Sequence, residues 1–268
     1  MLRMLIAFPF YLIILILNKS KFKESLHKKH YLWAVAMGLL GYYMSSLFDF
    51  IGLQYVSAGI ERIILFVYPT MAVVINRVIF KIPTIKRQWS SIFITYLGIA
   101  IAYWGELHLM PNTQLFIYGS IMVLLCGITY AFYLVGTGKL VPVMGASLYT
   151  CVAMLAASIG IFVHYILQKV NNSGINAIIY PIPSNILWFV IALAMIATVI
   201  PSFLLSSGMK RLGSNNLAIV TSIGPVATLF QANWILGESF SWQQVLGTCI
   251  VIAGVLRISK EAASKKLG

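Results

Sequence analysis

Gly52 to Gly98 reads GLQYVSAGIERIILFVYPTMAVVINRVIFKIPTIKRQWSSIFITYLG, and Gly208 to Gly254 reads GMKRLGSNNLAIVTSIGPVATLFQANWILGESFSWQQVLGTCIVIAG. The two stretches align without a gap. Gly52 stands opposite Gly208, Pro69 opposite Pro225, Gln88 opposite Gln244 and Gly98 opposite Gly254, every pair 156 residues apart (208 − 52, 225 − 69, 244 − 88, 254 − 98). Ile63/Ile219, Ile79/Ile235 and Ile94/Ile250 keep the same offset. Isoleucine matches between apolar segments come cheaply. Two glycines, a proline inside an apolar run and a glutamine in one register do not. The chain reads as an internal duplication.

The solvent follows from composition. The 268 residues are 60% hydrophobic and 9% charged, against roughly 25% charged in soluble domains. No water-soluble core absorbs that much apolar surface, so the chain is solvated by lipid. Inside hydrocarbon every backbone polar group needs an internal partner, which leaves helices or a closed barrel. The apolar runs are continuous and do not alternate, so they predict helices. The net charge of +13 would suggest nucleic acid in a soluble protein. Here the basic residues lie between apolar segments, which excludes that partner and points to the positive-inside rule.

Nine segments are predicted: Leu2–Leu17, Tyr31–Phe50, Ser57–Phe80, Trp89–Gly105, Thr113–Val135, Gly145–Gln168, Ser184–Ser206, Asn215–Leu236 and Phe240–Ile258. Breakers mark the loops, among them Val141-Pro142 and Asn171-Asn172-Ser173. The first segment has no small-residue cleavage site after it and reads as a retained helix. Lys19, Lys21, Lys23, Lys28 and Lys29 place the first loop in the cytoplasm. Alternation then puts Lys81, Lys86, Arg87, Lys139, Lys210, Arg211 and the tail on that same side, with Lys169 on the other. The second, third and fourth segments match the seventh, eighth and ninth but run the opposite way. The predicted fold is therefore all-α: a polytopic membrane protein of about nine transmembrane helices from two inverted five-helix repeats, the first incomplete. The repeats are residues 1–105 and 113–258, followed by a basic cytoplasmic tail, 259–268. By the offset, the partner of Thr113–Val135 falls before residue 1. A truncated ten-helix parent is the preferred expectation, a true nine-helix form the other.

Some residues invite chemistry. Gly38, Tyr42, Ser45 and Asp49 share one face of a regular helix, either lining an aqueous cavity or allowing close helix contact. Glu61 and Arg62 lie in the membrane, where charge is costly. Adjacent residues on a helix diverge, so Asp49 is the predicted partner of Arg62. These groups would bind a substrate carboxylate or carry a coupling proton, or else form an interfacial ion pair. Pro69 and Pro225 break an intrahelical bond at matching positions and are predicted hinges, or static kinks. Tyr68, with Tyr130 and Tyr133 one turn apart, and Gln231 and Asn233 are further candidate linings; packing is the alternative for each. Trp33, Trp89, Trp104, Trp188 and Trp242 fit an interfacial aromatic belt. Cys126, Cys151 and Cys249 fit neither a metal site nor a disulfide framework and read as buried small residues. The histidines lack metal spacing, and no catalytic motif appears.

The tandem five-helix plan, the shared prolines, Gly237-Glu238-Ser239, Gly247 and Gly254 resemble the drug/metabolite transporter superfamily, and within it the EamA-type transporters. The first half departs from that pattern at Lys81-Ile82, where Gly-Glu is usual. The resemblance implies a secondary transporter of a small metabolite, amino acid-like or another small organic solute, working by alternating access and often exporting. It implies no enzyme activity, cofactor or metal. The expected surroundings are a bacterial cytoplasmic (inner) membrane with the C-terminus in the cytoplasm. The expected partners are the lipid bilayer, the solute and a proton or other coupling ion, with room for a homodimer. A transport-inactive structural or regulatory membrane protein, or an intramembrane enzyme, is the alternative.

Overall fold

The structure is a computed structural model that describes residues 1–18, 26–81, 86–107, 112–173, 184–221, 231, 234 and 241–264. Every regular element among them is helical. In chain order these are α1 (Leu2–Leu17), α2 (Lys28–Gly38), a π-helical turn (Leu39–Met44), α3 (Ser45–Gly52), α4 (Ala58–Leu65), α5 (Val67–Val78), α6 (Lys86–Leu107), α7 (Thr113–Met144), α8 (Ala146–Ser173), α9 (Ser184–Ala194), a second π-helical turn (Met195–Val199), α10 (Ile200–Thr221) and α11 (Trp242–Ser264). Five spans are long and apolar enough to cross a bilayer: Lys28–Gly52, Ala58–Val78, Thr113–Met144, Ala146–Val170 and Leu187–Arg211. Leu2–Leu17, Trp89–Gly105 and Trp242–Gly254 are shorter apolar stretches. The chain is an all-helical polytopic membrane protein.

The sequence offset recurs in the helix boundaries. Helix α2 shifted by 156 residues covers the range of α9, 184–194. The π-turns begin 156 residues apart (195 − 39), as do α6 and α11 (242 − 86), and α1 and α8 end 156 residues apart (173 − 17). A π-turn inserts an extra residue and disturbs the hydrogen-bond ladder. Two such turns at one register are a duplicated feature of the backbone.

Three expected loops are absent. Helix α7 continues through Val141-Pro142, because a proline in the last turn forfeits one bond and little else. It stops instead at Gly145, whose φ of +83° suits a residue without Cβ. Helix α8 includes Asn171–Ser173; polar residues at its end lower its propensity without breaking it. Helix α10 runs through residues 207–214, where a loop was expected. No proline interrupts that stretch, and a glycine costs only about 1 kcal/mol. Most of the predicted Asn215–Leu236 segment lies outside the described residues.

The chain divides into two compact units, Met1–Tyr43 with Gly136–Arg211, and Met44–Val135 with Leu212–Gly268. In the first, Met4, Ala7 and Tyr11 of α1 pack with Met154, Ala194 and Val199. The Tyr11 hydroxyl lies 2.9 Å from Ser202 Oγ and donates to the Thr198 carbonyl at 3.4 Å, in the second π-turn. Gly38 sits against the backbone of Ala153 so closely that any Cβ would overlap it. This is the close-approach role of a small residue.

In the second unit α6 and α11 cross antiparallel. A Cβ on Gly98 would come 2.7 Å from the Gly247 carbonyl oxygen, and one on Gly254 would come 3.0 Å from that of Ser91. Under the offset Gly98 corresponds to Gly254 and Ser91 to Gly247, so each contact is the image of the other. Equivalent helices running in opposite directions are what inverted repeats require. Gln244 explains one conserved-register match: its Oε1 accepts from Ser241 N–H at 2.8 Å, and Ser241 Oγ accepts from Gln244 N–H at 3.2 Å. This reciprocal cap starts α11.

Candidate functional site

The segment that holds Glu61 and Arg62 is a broken helix. Ser57 begins α4, its Oγ accepting from Ile60 N–H at 3.3 Å. Helix α4 ends at Leu65, and Phe66 N–H bonds back to the Ile63 carbonyl at 3.2 Å, a tight three-residue closure. Helix α5 then starts at Val67. Pro69 lacks the donor that Leu65 C=O would otherwise receive. The disturbance therefore appears three residues before the proline rather than at it.

Glu61 lies in the first turn of α4, where the helix dipole favours an acid. Its side chain is 1% exposed, against 36% for Arg62, and Arg62 NH1 stands 3.1 Å from Glu61 Oε1. This corrects the expected Arg62–Asp49 pairing. Neighbouring Cα–Cβ bonds diverge, but an arginine stem is long enough to fold back along the turn. A buried carboxylate strongly favours such a neighbour.

Asp49 goes elsewhere. Cys126 Sγ of α7 is 3.8 Å from Asp49 Oδ1 and 3.2 Å from Ser45 Oγ. Sequence reasoning set Cys126 aside as a buried small residue, which it is. Its polar neighbours lie about 80 positions away in sequence, so spacing carried no sign of them. Thr129 Oγ1 donates to the Cys126 carbonyl at 2.9 Å.

The predicted face Gly38–Tyr42–Ser45–Asp49 assumed a regular helix, and the π-turn Leu39–Met44 interrupts it. Gly38 and Tyr42 belong to the first unit, where Tyr42 packs on the Tyr11 cluster. Ser45 and Asp49 belong to the second.

The three candidate tyrosines do come together. Tyr68 meets Tyr130 edge-on, centroids 5.3 Å apart at 88°, and Tyr130 lies 5.8 Å from Tyr133. Tyr68 and Tyr133 are buried and Tyr130 half-buried. Val67, beside Tyr68, reaches the space above Gly127 on the α7 face that carries Tyr130. The aromatic group thus sits at the start of α5, directly after the break. Gln231 is exposed; Asn233 and Pro225 lie outside the described residues. Cys249 is exposed rather than buried, facing outward from α11. All five belt tryptophans are exposed, between 52% and 75%, and stand near helix ends.

The site thus combines a buried carboxylate, a partly exposed guanidinium, a backbone break and an aromatic cluster in one unit. A guanidinium binds a carboxylate in fork geometry, and a buried carboxylate can hold a proton.

A model of the EamA-like transporter family matches residues 1–104 and 117–260 of the chain. An uncharacterized transporter of Bacillus subtilis (strain 168), YcbK, is 32% identical over 251 residues, 91% of this chain and 77% of its own. A second from that organism, the uncharacterized transporter YyaM, is 24% identical over 250 residues, 92% of this chain and 79% of its own. A solved structure titled only as a crystal structure of a protein superposes with a TM-score of 0.63 at 15% identity, covering 97% of this chain and 87% of that one. That likeness bears on the fold alone.

Proposed function

We propose, for a chain that belongs to the EamA-like transporter family and is therefore an integral membrane transporter, that it is a secondary carrier exporting a small organic solute, amino acid-like or similar, by alternating access. The observation that carries this reading is the ion pair of a 1%-exposed carboxylate and a 36%-exposed guanidinium beside a break in its own helix. In this mechanism a solute carboxylate competes with Glu61 for Arg62. Protonation of Glu61 frees Arg62 for the solute, which couples movement to a proton. Asp49 and Ser45, with Tyr42, Gln231 and Asn233, supply further polar contacts. Tyr68, Tyr130 and Tyr133 form the apolar wall.

Pro69 and Pro225 act as hinges because their freed carbonyls let each helix bend at low cost. The two repeats, 1–105 and 113–258, rock against one another, and the basic tail 259–268 stays in the cytoplasm. The bilayer is the cytoplasmic membrane.

The test starts from metabolites inside and outside cells with and without the protein, which identifies the solute. Flux of that solute is then followed in proteoliposomes. Glu61→Gln and Arg62→Ala are expected to lower it about tenfold, roughly 1.4 kcal/mol of lost transition-state stabilisation, while both variants insert normally. Wild-type flux in both would reject the charged pair as the site. No solute difference between the cells would reject export.

A further inference from the structure

In the first unit an open groove of ≈ 780 Å³ separates α2 from α8, within the range of about 300–1,000 Å³ usual for ligand sites. Its walls are almost wholly aliphatic, with Val35 and Leu39 on one side and Leu155, Ala156 and Val163 on the other. Polar groups gather at one end. There the Tyr43 hydroxyl is 2.8 Å from His164 Nδ1, and Gln168 completes the lining. Next along α8, Lys169 holds its ammonium 5.9 Å from the Tyr165 ring centroid.

The duplication supplies a control for this space. Shifted by 156 residues, the groove maps onto the contact of α1 with α9 and the second π-turn. There Met4 stands where Gly160 does, Phe8 where His164 does and Tyr11 where Leu167 does (160 − 4, 164 − 8, 167 − 11). Met4 is 1% exposed and Tyr11 0%; with Val199, the counterpart of Tyr43, they close the space as a packed core. Around Gly160 nothing equivalent fills it. One half of the molecule completes this contact with its own side chains, and the other leaves it open to the membrane.

Apolar walls facing a bilayer are covered by hydrocarbon rather than water. The polar end sets which hydrocarbon. Lys169 is the lone Lys or Arg of the described α8 side chains, and it lies at the polar end of the groove. A single cation there favours an anionic headgroup. We propose that the groove is a binding site for one phospholipid, with an acyl chain along α8 and an anionic phosphate headgroup at Lys169, standing in for the Met4 and Tyr11 side chains of the other half.

The full-length protein, purified in mild detergent and titrated with phosphatidylglycerol or phosphatidylcholine, tests this by native mass spectrometry. The expected result is one retained phosphatidylglycerol, preferred over phosphatidylcholine by about fivefold, the effect of one charge near a headgroup. Lys169→Gln removes the preference and leaves a retained lipid of either kind. Leu167→Tyr, which copies the other half, and Ala156→Leu, which fills the groove floor, abolish retention. Thermal unfolding confirms that each variant is folded; should one fail, the other carries the test. No retained lipid in the wild type, retention unchanged in a folded filling variant, or a preference that survives Lys169→Gln would each overturn the assignment.

Discussion

Replacing Arg62 by alanine leaves a carboxylate inside the protein without its closest cation, and the cost can be worked from the geometry. At 3.1 Å and an effective dielectric of about 20, the attraction between the charges is about 5 kcal/mol. Water reaching the 36%-exposed Arg62 screens part of that, and desolvation of Glu61 offsets more. The coupling left is about 2 kcal/mol, between the values for surface and buried pairs. Arg62→Ala is expected to destabilise by that amount. Glu61→Gln removes the buried charge itself and leaves an arginine that can extend to water, so its cost is smaller, about 1 kcal/mol or less. The double variant recovers most of what Arg62→Ala loses. For a chain of this size, about 2 kcal/mol corresponds to roughly 4–8 °C in apparent Tm, read in detergent at one scan rate because unfolding of such proteins is irreversible. A double variant as unstable as Arg62→Ala would refute the reasoning. Arg62 would then be acting through its stem or through another partner, and not through Glu61.

Four further substitutions probe the scaffold. Gly98→Ala places a methyl 2.7 Å from the Gly247 carbonyl oxygen and forces α6 and α11 apart; a loss of about 1–3 kcal/mol is expected in thermal unfolding. Lys81 adopts φ +52°, a conformation that costs a side-chain-bearing residue about 1–2 kcal/mol, so Lys81→Gly is expected to raise the apparent Tm by a few degrees. Tyr11→Phe removes the hydroxyl 2.9 Å from Ser202 Oγ and is expected to cost about 1 kcal/mol. Pro69→Ala returns a donor to the Leu65 carbonyl; stability is expected to hold or rise while flux falls about tenfold, and undiminished flux would count against the hinge.

The duplication was legible because it lives in backbone requirements. Glycines at a helix crossing and the glutamine of a cap leave marks that survive in a single sequence. Lys81 belongs here too. It stands where the second half has Gly237, and it keeps a backbone angle natural to glycine. The π-turns were not legible, since no residue type demands one, and the face drawn through Tyr42 and Ser45 failed for that reason. Proline at position 142 looked like a stop, yet a helix near its end loses little to it. The stop lay in Gly145, whose role shows only in its φ. Charge placement was half legible. That Glu61 and Arg62 mattered followed from the cost of charge in lipid. Their pairing with each other depended on a side chain folding back, which spacing along a helix does not encode. Asp49 beside Cys126 is a contact between distant segments and had no sequence signal.

The crossing of α6 and α11 has a history in it. In a two-fold interface between identical chains, residue i meets j while j meets i. Here Gly98 faces Gly247 and Gly254 faces Ser91, the same reciprocity carried across 156 positions of one chain. The surface is that of a self-associating ancestor whose two copies lay head to tail. While the copies were separate genes' products of one sequence, any change at this face struck both sides at once. Joining them in one chain let each side vary alone, and Ser91 opposite a glycine records a position where one side has done so.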